Sequence, residues 1–316
     1  MVMNARVVVL IVLIICIVSS ITRSTGIHTE GLEIIEHIKS PYQTIDLVRD
    51  KETNHISMFL NGTLQNHTKE YKKSHYAMVD ISIKLLHSPP RNILILGGGD
   101  GYPAMRALKQ ENVYVKNVEI DGTLIDFVKT NPIMRELSED AFNDSRLDLS
   151  ATDAYKYVYT ENRKFDVIVY DIARDVTNNS TIDFDSHDDY IIENLLEDDG
   201  VLNYTMDMRS EIPKLENIYK IYEELKRGTI KSHHVILLQS EEDFTVFNRL
   251  YPVSINKNIK KKYPDSEIGI MILDLDSSCG RYHYNEEVYF YISKQPFNKT
   301  NEDVNFIPFR SLMIES

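Results

Sequence analysis

The pattern of apolar and polar positions divides the chain into two regions with different predicted folds. Between residues 34 and 65, short apolar runs alternate with polar residues, and the dipeptide Asn61-Gly62 lies between two of the runs. Asn-Gly in this setting is the strongest short-range signal for a β-hairpin. We therefore predict a small antiparallel β unit here. A helix is predicted over residues 69–87, where apolar residues have helical spacing, and Pro89-Pro90 ends it.

From Asn92 onward, predicted strands and helices alternate, which favours an α/β fold with a mainly parallel sheet covered on both faces. In such sheets a ligand binds beyond the carboxyl ends of the strands. The tail after Lys294 is polar and is predicted to be irregular. The seven predicted strands cover residues 93–96, 115–120, 147–150, 167–171, 200–204, 234–239 and 268–273, with helices such as 104–110, 123–130 and 212–226 between them.

The first residues have the composition of a targeting segment. Arg6 precedes an apolar run over residues 7–18, and Ser19 and Ser20 follow it. Twelve apolar residues are short for a membrane span, which needs about 20, so we predict a cleaved signal peptide and a secreted or lumenal protein. The alternative is an uncleaved anchor formed by residues 7–21, the one case in which we expect membrane association. The predicted division is a leader at 1–24, the β unit and its helix at 26–88, the α/β domain at 89–294 and a polar tail at 295–316.

Several sequons agree with a secretory route, although an Asn- and Thr-rich chain also produces them by chance. The sequon at Asn203 lies in a predicted buried strand, where no sugar is expected. The sequons are at Asn61, Asn66, Asn143, Asn178, Asn179, Asn203 and Asn298.

Charge narrows the classes of ligand. The formal net charge is -13, which argues against nucleic acid as a partner because phosphate contacts need a basic surface. An acidic protein is better suited to cationic ligands. The chain has two cysteines and no cysteine–histidine cluster with metal-ligand spacing, so no metal is predicted.

The segment after the first predicted strand of the α/β region is the main candidate for ligand binding. Gly97, Gly98, Gly99, Asp100 and Gly101 form a glycine loop between a strand and a helix. Such loops usually hold phosphates at a helix N-terminus, but a carboxylate at Asp100 would repel a phosphate and attract an ammonium or a sulfonium. The alternative is a glycine turn without a ligand.

Acidic residues recur at the ends of the following strands. Glu119 lies where an acid typically accepts both hydroxyls of a ribose, and Asp121 follows it closely. Asp153 and Asp171 fall at the next two strand ends. Taken singly, each is explained by a solvated loop or a helix N-cap. Together with the glycine loop they favour a nucleoside that carries positive charge, as S-adenosyl ligands do.

At these motifs the chain resembles the spermidine and spermine synthases, the polyamine aminopropyltransferase family. The resemblance extends over residues 40–273. It rests on the segments SPYQTIDL, MFLNGTLQ, ILILGGGDG, VEID, TDAY, FDVIVYD, EDDGVL and YPDSEIGIM.

The resemblance implies a small N-terminal antiparallel β domain and a Rossmann-like, methyltransferase-type domain. It implies decarboxylated S-adenosylmethionine as the donor and a small-molecule amine as the acceptor. By position, Asp171 would be the catalytic acid–base residue and Tyr263 would line the amine pocket. A homodimer through the N-terminal strands is also compatible with the family. The donor would be held by Gln43, Asp100, Glu119 and Asp153.

The chain departs from the family pattern on the acceptor side. The family loop D-x-x-D-P is replaced by residues 171–175, in which Arg174 occupies the acidic position and Asp175 is shifted by one. The family's Tyr-His-Glu segment is replaced by His75-Tyr76-Ala77. We therefore expect a divergent member whose acceptor pocket, with His75, Tyr76, Arg174 and Asp175 as candidates, is altered.

Three functions remain open from the sequence. The first is aminopropyl transfer to an amine, and the second is methyl transfer from S-adenosylmethionine itself. The third is a secreted non-catalytic protein on the same scaffold, which the leader, the sequons and Arg174 would favour.

Overall fold

The computed structural model describes residues 30–172, 184–207, 233–238, 240, 243, 259–279 and 282–308. The predicted leader and the predicted helix at 212–226 lie outside these residues. Within the described part, no helix has the length and apolar character needed to cross a membrane.

The described residues form two compact units. One draws on the described residues between 30 and 72 and between 275 and 284, and the other on those between 73 and 274 and between 285 and 308. The first contains a four-stranded antiparallel sheet in the order β1-β2-β3-β4. Its strands are β1 (Leu32–Lys39), β2 (Thr44–Asp50), β3 (Ile56–Leu60) and β4 (Thr63–His67).

The turn between β3 and β4 confirms the predicted hairpin. Asn61 and Gly62 have φ angles of 50° and 75°, the left-handed conformation that a two-residue type I′ turn requires at both positions. The Asn61 side-chain oxygen also accepts a hydrogen bond of 2.9 Å from the backbone N–H of Thr44. The turn residues therefore fix the register of β3 against β4 and contact β2.

The second unit is built on a nine-stranded mixed sheet in the order β13-β10-β11-β12-β9-β8-β5-β6-β7. The pairs from β9 to β7 in this order are all parallel, so the carboxyl ends of these strands meet at one edge. The strands are β5 (Asn92–Gly97), β6 (Tyr114–Glu119), β7 (Leu147–Ala151), β8 (Phe165–Asp171), β9 (Leu196–Asp207), β10 (His233–Leu238), β11 (Glu267–Cys279), β12 (Tyr282–Ser293) and β13 (Val304–Pro308).

Both faces of this sheet are covered, as the apolar runs predicted. The four residues from Ile93 to Leu96 on β5 are all fully buried although they alternate between the two faces. Leu94 and Leu96 join Ile168 and Tyr170 of β8 in a core cluster that continues across β9. This rigid centre positions the ends of β5, β6 and β8.

The structure adds two strands to the seven predicted. β12 pairs antiparallel with β9, and β13 pairs parallel with β10. β13 corrects the prediction that the tail is irregular throughout: Val304 is buried, and the backbone of β13 hydrogen-bonds to β10. Pairing at a sheet edge depends on the backbone of the partner strand, which the polar composition of the tail does not reveal.

The described helices are short, and the one predicted over residues 69–87 is divided. It consists of α1 (Tyr71–His75), a π-helical segment (Tyr76–Ile81) and α2 (Ser82–Lys84). The remaining α-helices are α3 (Tyr102–Ala107), α4 (Gly122–Thr130), α5 (Pro132–Leu137), α6 (Ala154–Tyr157), α7 (Phe184–Tyr190) and α8 (Ile259–Lys262).

Candidate active site

The glycine loop turns from β5 into α3 with backbone angles that need glycine. Gly97, Gly98 and Gly101 have φ angles of 88°, 68° and 83°. A Cβ atom on Gly97 would lie 2.1 Å from the backbone oxygen of Asp171. The absence of a side chain at Gly97 thus allows the end of β8 to approach the loop, and Gly97 and Asp171 are register partners in the sheet.

Gly99 likewise allows a close approach, by Glu119 at the end of β6. A Cβ atom on Gly99 would lie 2.7 Å from a carboxylate oxygen of Glu119. The other oxygen of Glu119 accepts a hydrogen bond of 2.8 Å from the backbone N–H of Asp121. Burial raises the pKa of Glu119, and the negative charges of Asp121 and Asp100 raise it further. A ligand hydroxyl donating to this carboxylate would offset that cost.

Asp121 and Asp153 have helix-capping roles. Asp121 is fully buried, and its Oδ1 accepts hydrogen bonds from the first turn of α4 at 3.1 and 3.3 Å. Oδ1 of Asp153 accepts a hydrogen bond of 3.0 Å from the N–H of Tyr155 in α6. These caps fix the two helices that follow β6 and β7; the predicted contacts of both residues with a nucleoside stay predictions.

Three side chains converge where the glycine loop meets the end of β8. His75, Asp100 and Asp171 each present a nitrogen or oxygen atom within 4.8 Å of the others, and His75 Nε2 lies 3.7 Å from Asp100 Oδ2. The other oxygen of Asp100 accepts a hydrogen bond of 3.0 Å from the N–H of Tyr102. His75 and Asp100 are buried, at 4% and 9% exposure. We call this group the His75 cluster.

Other predicted site residues are placed as follows. The Tyr76 ring lies 5.3 Å from the guanidinium carbon of Arg106, and burial raises the pKa of Tyr76. Tyr263 follows α8; burial raises its pKa, and the negative charges of Asp198 and Asp189 contribute. The predicted roles of both tyrosines in an amine pocket stay predictions.

Gln43 belongs to the first unit, where it closes the turn between β1 and β2. Its N–H donates to Ser40 Oγ at 2.9 Å, and its carbonyl oxygen accepts from the N–H of Ser40 at 2.8 Å. Arg174 and Asp175 lie outside the described residues. The ligand contacts predicted for these three residues also stay predictions.

Two residues at the site were missed from the sequence. Asn117 is fully buried in β6, and its Nδ2 donates to the carbonyl oxygen of Gly97 at 2.5 Å, which anchors the start of the glycine loop. Ile120 follows the end of β6, between Glu119 and Asp121. It is 41% exposed and presents an apolar surface beside Glu119. The signals available in the sequence were a polar residue inside an apolar strand and an apolar residue between two acids.

Comparison with known proteins gives a consistent family. The model of the spermine/spermidine synthase domain matches residues 72–236. A polyamine aminopropyltransferase of Aquifex aeolicus is 32% identical over 171 residues, which are 54% of this chain and 34% of that protein. One from Thermoplasma acidophilum is 35% identical over 134 residues, 42% of this chain and 48% of that protein. The chain therefore spans a third to a half of the length of these relatives.

Solved structures agree on the fold. The spermidine synthase of Thermotoga maritima aligns with a TM-score of 0.55 at 20% identity, covering 89% of this chain and 83% of that one. A spermidine synthase in complex with the transition-state analogue AdoDATO aligns with a TM-score of 0.54 at 19% identity, with the same coverage. These alignments confirm the predicted Rossmann-like, methyltransferase-type architecture with an N-terminal antiparallel sheet.

Proposed function

Since the chain belongs to the spermine/spermidine synthase domain family, we propose that it transfers an aminopropyl group from decarboxylated S-adenosylmethionine to a small-molecule amine. The observation that carries the proposal is the carboxyl edge of the parallel strands. It brings the Glu119 carboxylate against Gly99 and gathers Asp100 and Asp171 around His75. Acidic groups concentrated at one edge suit a donor and an acceptor that are both cationic.

The donor side of this proposal is supported by the geometry of the glycine loop. The buried carboxylate of Glu119 lacks the solvation that water would give, so two ribose hydroxyls are suitable partners for it. Ile120 would offer an apolar surface to the base. Asp100 would attract the amino group of the donor and would disfavour a donor that keeps its carboxylate. A related spermidine synthase binds a transition-state analogue, which supports the same donor class here.

The proposed reaction needs one proton transfer and one displacement. The acceptor amine has a pKa near that of lysine, about 10, and arrives as an ammonium. Asp171 accepts a proton from it, and the freed lone pair attacks the methylene carbon next to the sulfonium. The new C–N bond forms as the C–S bond breaks. The electron pair of the C–S bond stays on sulfur in neutral methylthioadenosine. Positioning in a site shielded from water would supply much of the acceleration.

We further propose that the acceptor pocket differs from that of the family. His75-Tyr76-Ala77 replaces a Tyr-His-Glu segment, and Arg174 replaces an acid after Asp171. A guanidinium in that position would repel the far ammonium of a diamine. An acceptor with one amino group, or with an acidic group at its far end, would avoid that repulsion.

For its location, we propose a secretory route. The support is the apolar run over residues 7–18 behind Arg6 and the small residues after it. An uncleaved segment at residues 7–21 would instead anchor the protein in a membrane.

The test is release of methylthioadenosine by the purified protein supplied with decarboxylated S-adenosylmethionine and a panel of diamines, monoamines and acidic amines. We expect release with at least one amine and a loss of about 100-fold or more in kcat for Asp171→Asn. Asp199→Asn, which alters an exposed aspartate of β9, is the matched control and should retain activity. Release of S-adenosylhomocysteine from S-adenosylmethionine would identify a methyltransferase instead. Lack of binding to any adenosyl ligand would identify a non-catalytic protein.

A further inference from the structure

The His75 cluster adds an imidazole, which has no step in the proposed transfer reaction, to the two carboxylates that the reaction uses. Its imidazole and two carboxylates come from three distant parts of the chain: the end of α1, the glycine loop and the end of β8. Among the residues that the structure describes, this is the one group of three or more histidine, cysteine or acidic side chains whose donor atoms converge in this way. The sequence showed no metal spacing because the three residues are far apart along the chain.

One distance within the cluster matches the span across a single cation. His75 Nε2 and Asp100 Oδ2 are 3.7 Å apart, which is longer than a hydrogen bond. Two donors that each lie about 2.1 Å from one metal ion are separated by roughly 3.0 to 4.2 Å for angles between 90° and 180°. The other two pairs of donor atoms lie within 4.8 Å, so any pair beyond this range exceeds it by about 0.6 Å or less.

Surrounding contacts hold two of the donors in place. Asp100 Oδ1 is fixed by the N–H of Tyr102, and Oδ2 is the atom nearest to His75. The Tyr102 ring lies 5.2 Å from the His75 ring, centroid to centroid. Hydrogen bonds of this kind orient metal ligands in proteins, and their loss weakens metal binding.

The π-helical segment that begins directly after His75 is itself anchored at two points. Asp80 receives two hydrogen bonds from Arg106 of α3, at 2.6 and 2.5 Å. The carbonyl oxygen of Ala77 accepts a hydrogen bond of 2.8 Å from the buried hydroxyl of Tyr291 on β12. π-helical turns occur frequently at functional sites. Here the segment sets the position from which the imidazole reaches Asp100.

Charge and exposure also favour a cation with open coordination positions. Two carboxylates meet one imidazole in a largely buried site, and Glu119 lies close enough for the Asp100 charge to affect it. Asp171 is only partly buried, so one side of the cluster faces outward. A divalent ion would balance the two carboxylates and leave coordination sites for water or a ligand.

We propose that His75, Asp100 and Asp171 form a binding site for a divalent first-row transition-metal ion such as Zn²⁺ or Co²⁺. The imidazole favours these ions over Mg²⁺ or Ca²⁺, which prefer all-oxygen ligands. A bound ion would occupy the place that the proposed transfer gives to the reacting ammonium, so metal and amine would exclude each other. The metal site itself does not depend on whether the protein catalyses that transfer.

The test is titration of the full-length, metal-free protein, without a histidine tag, with Co²⁺. Binding is followed by visible absorption and by calorimetry, and displacement of Co²⁺ by Zn²⁺ is measured afterwards. We expect one saturable site, and His75→Gln and Asp171→Asn should each weaken it at least about 100-fold. His87→Gln, which alters an exposed histidine, is the matched control and should leave affinity unchanged.

The outcomes separate clearly without any measurement of turnover. Absence of a saturable site, or affinity that survives both cluster variants, would overturn the proposal. Because His75 is buried, its replacement could disturb folding, which circular dichroism would reveal. Asp171→Asn alters a partly exposed side chain and then decides the question alone: retained affinity in that variant overturns the site, and lost affinity with a native spectrum supports it.

Discussion

Replacing Gly97 by alanine tests the close approach between the glycine loop and β8. The new Cβ atom would lie 2.1 Å from the Asp171 carbonyl oxygen and 2.7 Å from its carbon. Ordinary contact begins near 3.4 Å, so β5 and β8 must separate by more than about 1 Å at a paired position. Overpacking of this kind costs about 1–3 kcal/mol, and the φ angle of 88° adds about 1–2 kcal/mol for a residue with a side chain. We expect Gly97→Ala to cost about 2–5 kcal/mol in unfolding free energy.

Gly101→Ala is the matched control because it shares the backbone strain without the severe clash. Gly101 has a φ angle of 83°, but its Cβ atom would meet only side-chain atoms, at 3.2 Å. We expect a cost of about 1–2 kcal/mol for this variant. The difference of about 2 kcal/mol between the two variants therefore isolates the steric effect on Asp171.

Urea denaturation followed by circular dichroism and tyrosine fluorescence measures both costs; the chain has no tryptophan. Equal m-values for the two variants would make the midpoints directly comparable. If Gly97→Ala and Gly101→Ala were destabilised equally, within about 0.5 kcal/mol, the inferred contact between Gly97 and the β8 backbone would be wrong.

Three further predictions concern ionisation and modification. Burial opposes ionisation of Glu161, but hydrogen bonds, chiefly from Arg163, outweigh it and lower its pKa to about 2. Glu161→Gln should therefore lower the free energy of unfolding by about 1–2 kcal/mol at pH 7, as measured by denaturation. The difference between variant and wild-type protein should vanish as the pH falls from 4.5 towards 2. A difference that stays constant with pH would contradict the pairing of Glu161 with Arg163. The pKa of Glu119 is raised in the folded protein, so its ionisation lowers stability as the pH rises. Relative to the wild-type protein, the Glu119→Gln variant should therefore gain more thermal stability at pH 8 than at pH 4. Its affinity for methylthioadenosine should fall about 10- to 100-fold. Unchanged affinity would exclude a ribose contact. After expression of the full chain in eukaryotic cells, glycopeptide mass spectrometry should find sugar on the exposed Asn61 and none on the buried Asn203. An unmodified Asn61 would argue against the secretory route.

The features at the carboxyl edge of the parallel strands could be predicted because each is encoded by a local sequence pattern. The glycine loop follows directly on an apolar run, and Glu119 ends the next one. Parallel strands bring such ends to one edge whatever the details of the loops between them. The structure confirms that common edge through the register partners Gly97 and Asp171 and the approach of Glu119 to Gly99.

The structural roles of several acids could not be predicted in the same way. Asp121 was expected to join Glu119 in binding a nucleoside, but the strand ends at Glu119 and Asp121 caps α4. A carboxylate just after a strand can serve a ligand or a helix N-terminus equally well, since both offer N–H or O–H donors. Which of them it serves depends on where the strand ends, and a local pattern leaves that uncertain by a few residues.

The position of His75 depends on contacts that no local pattern contains. The apolar spacing over residues 69–87 fits an α-helix, yet the chain becomes π-helical after His75. The altered backbone is held by Arg106 on α3 and by Tyr291 on β12, one of the strands missed from the sequence. The carboxyl edge of the parallel strands is therefore positioned by the sheet itself. The position of His75 depends instead on a helical irregularity that is anchored by α3 and β12. A substitution at residue 75 can accordingly change the chemistry beside Asp171 while β5 and β6, and the carboxylates they position, keep their places.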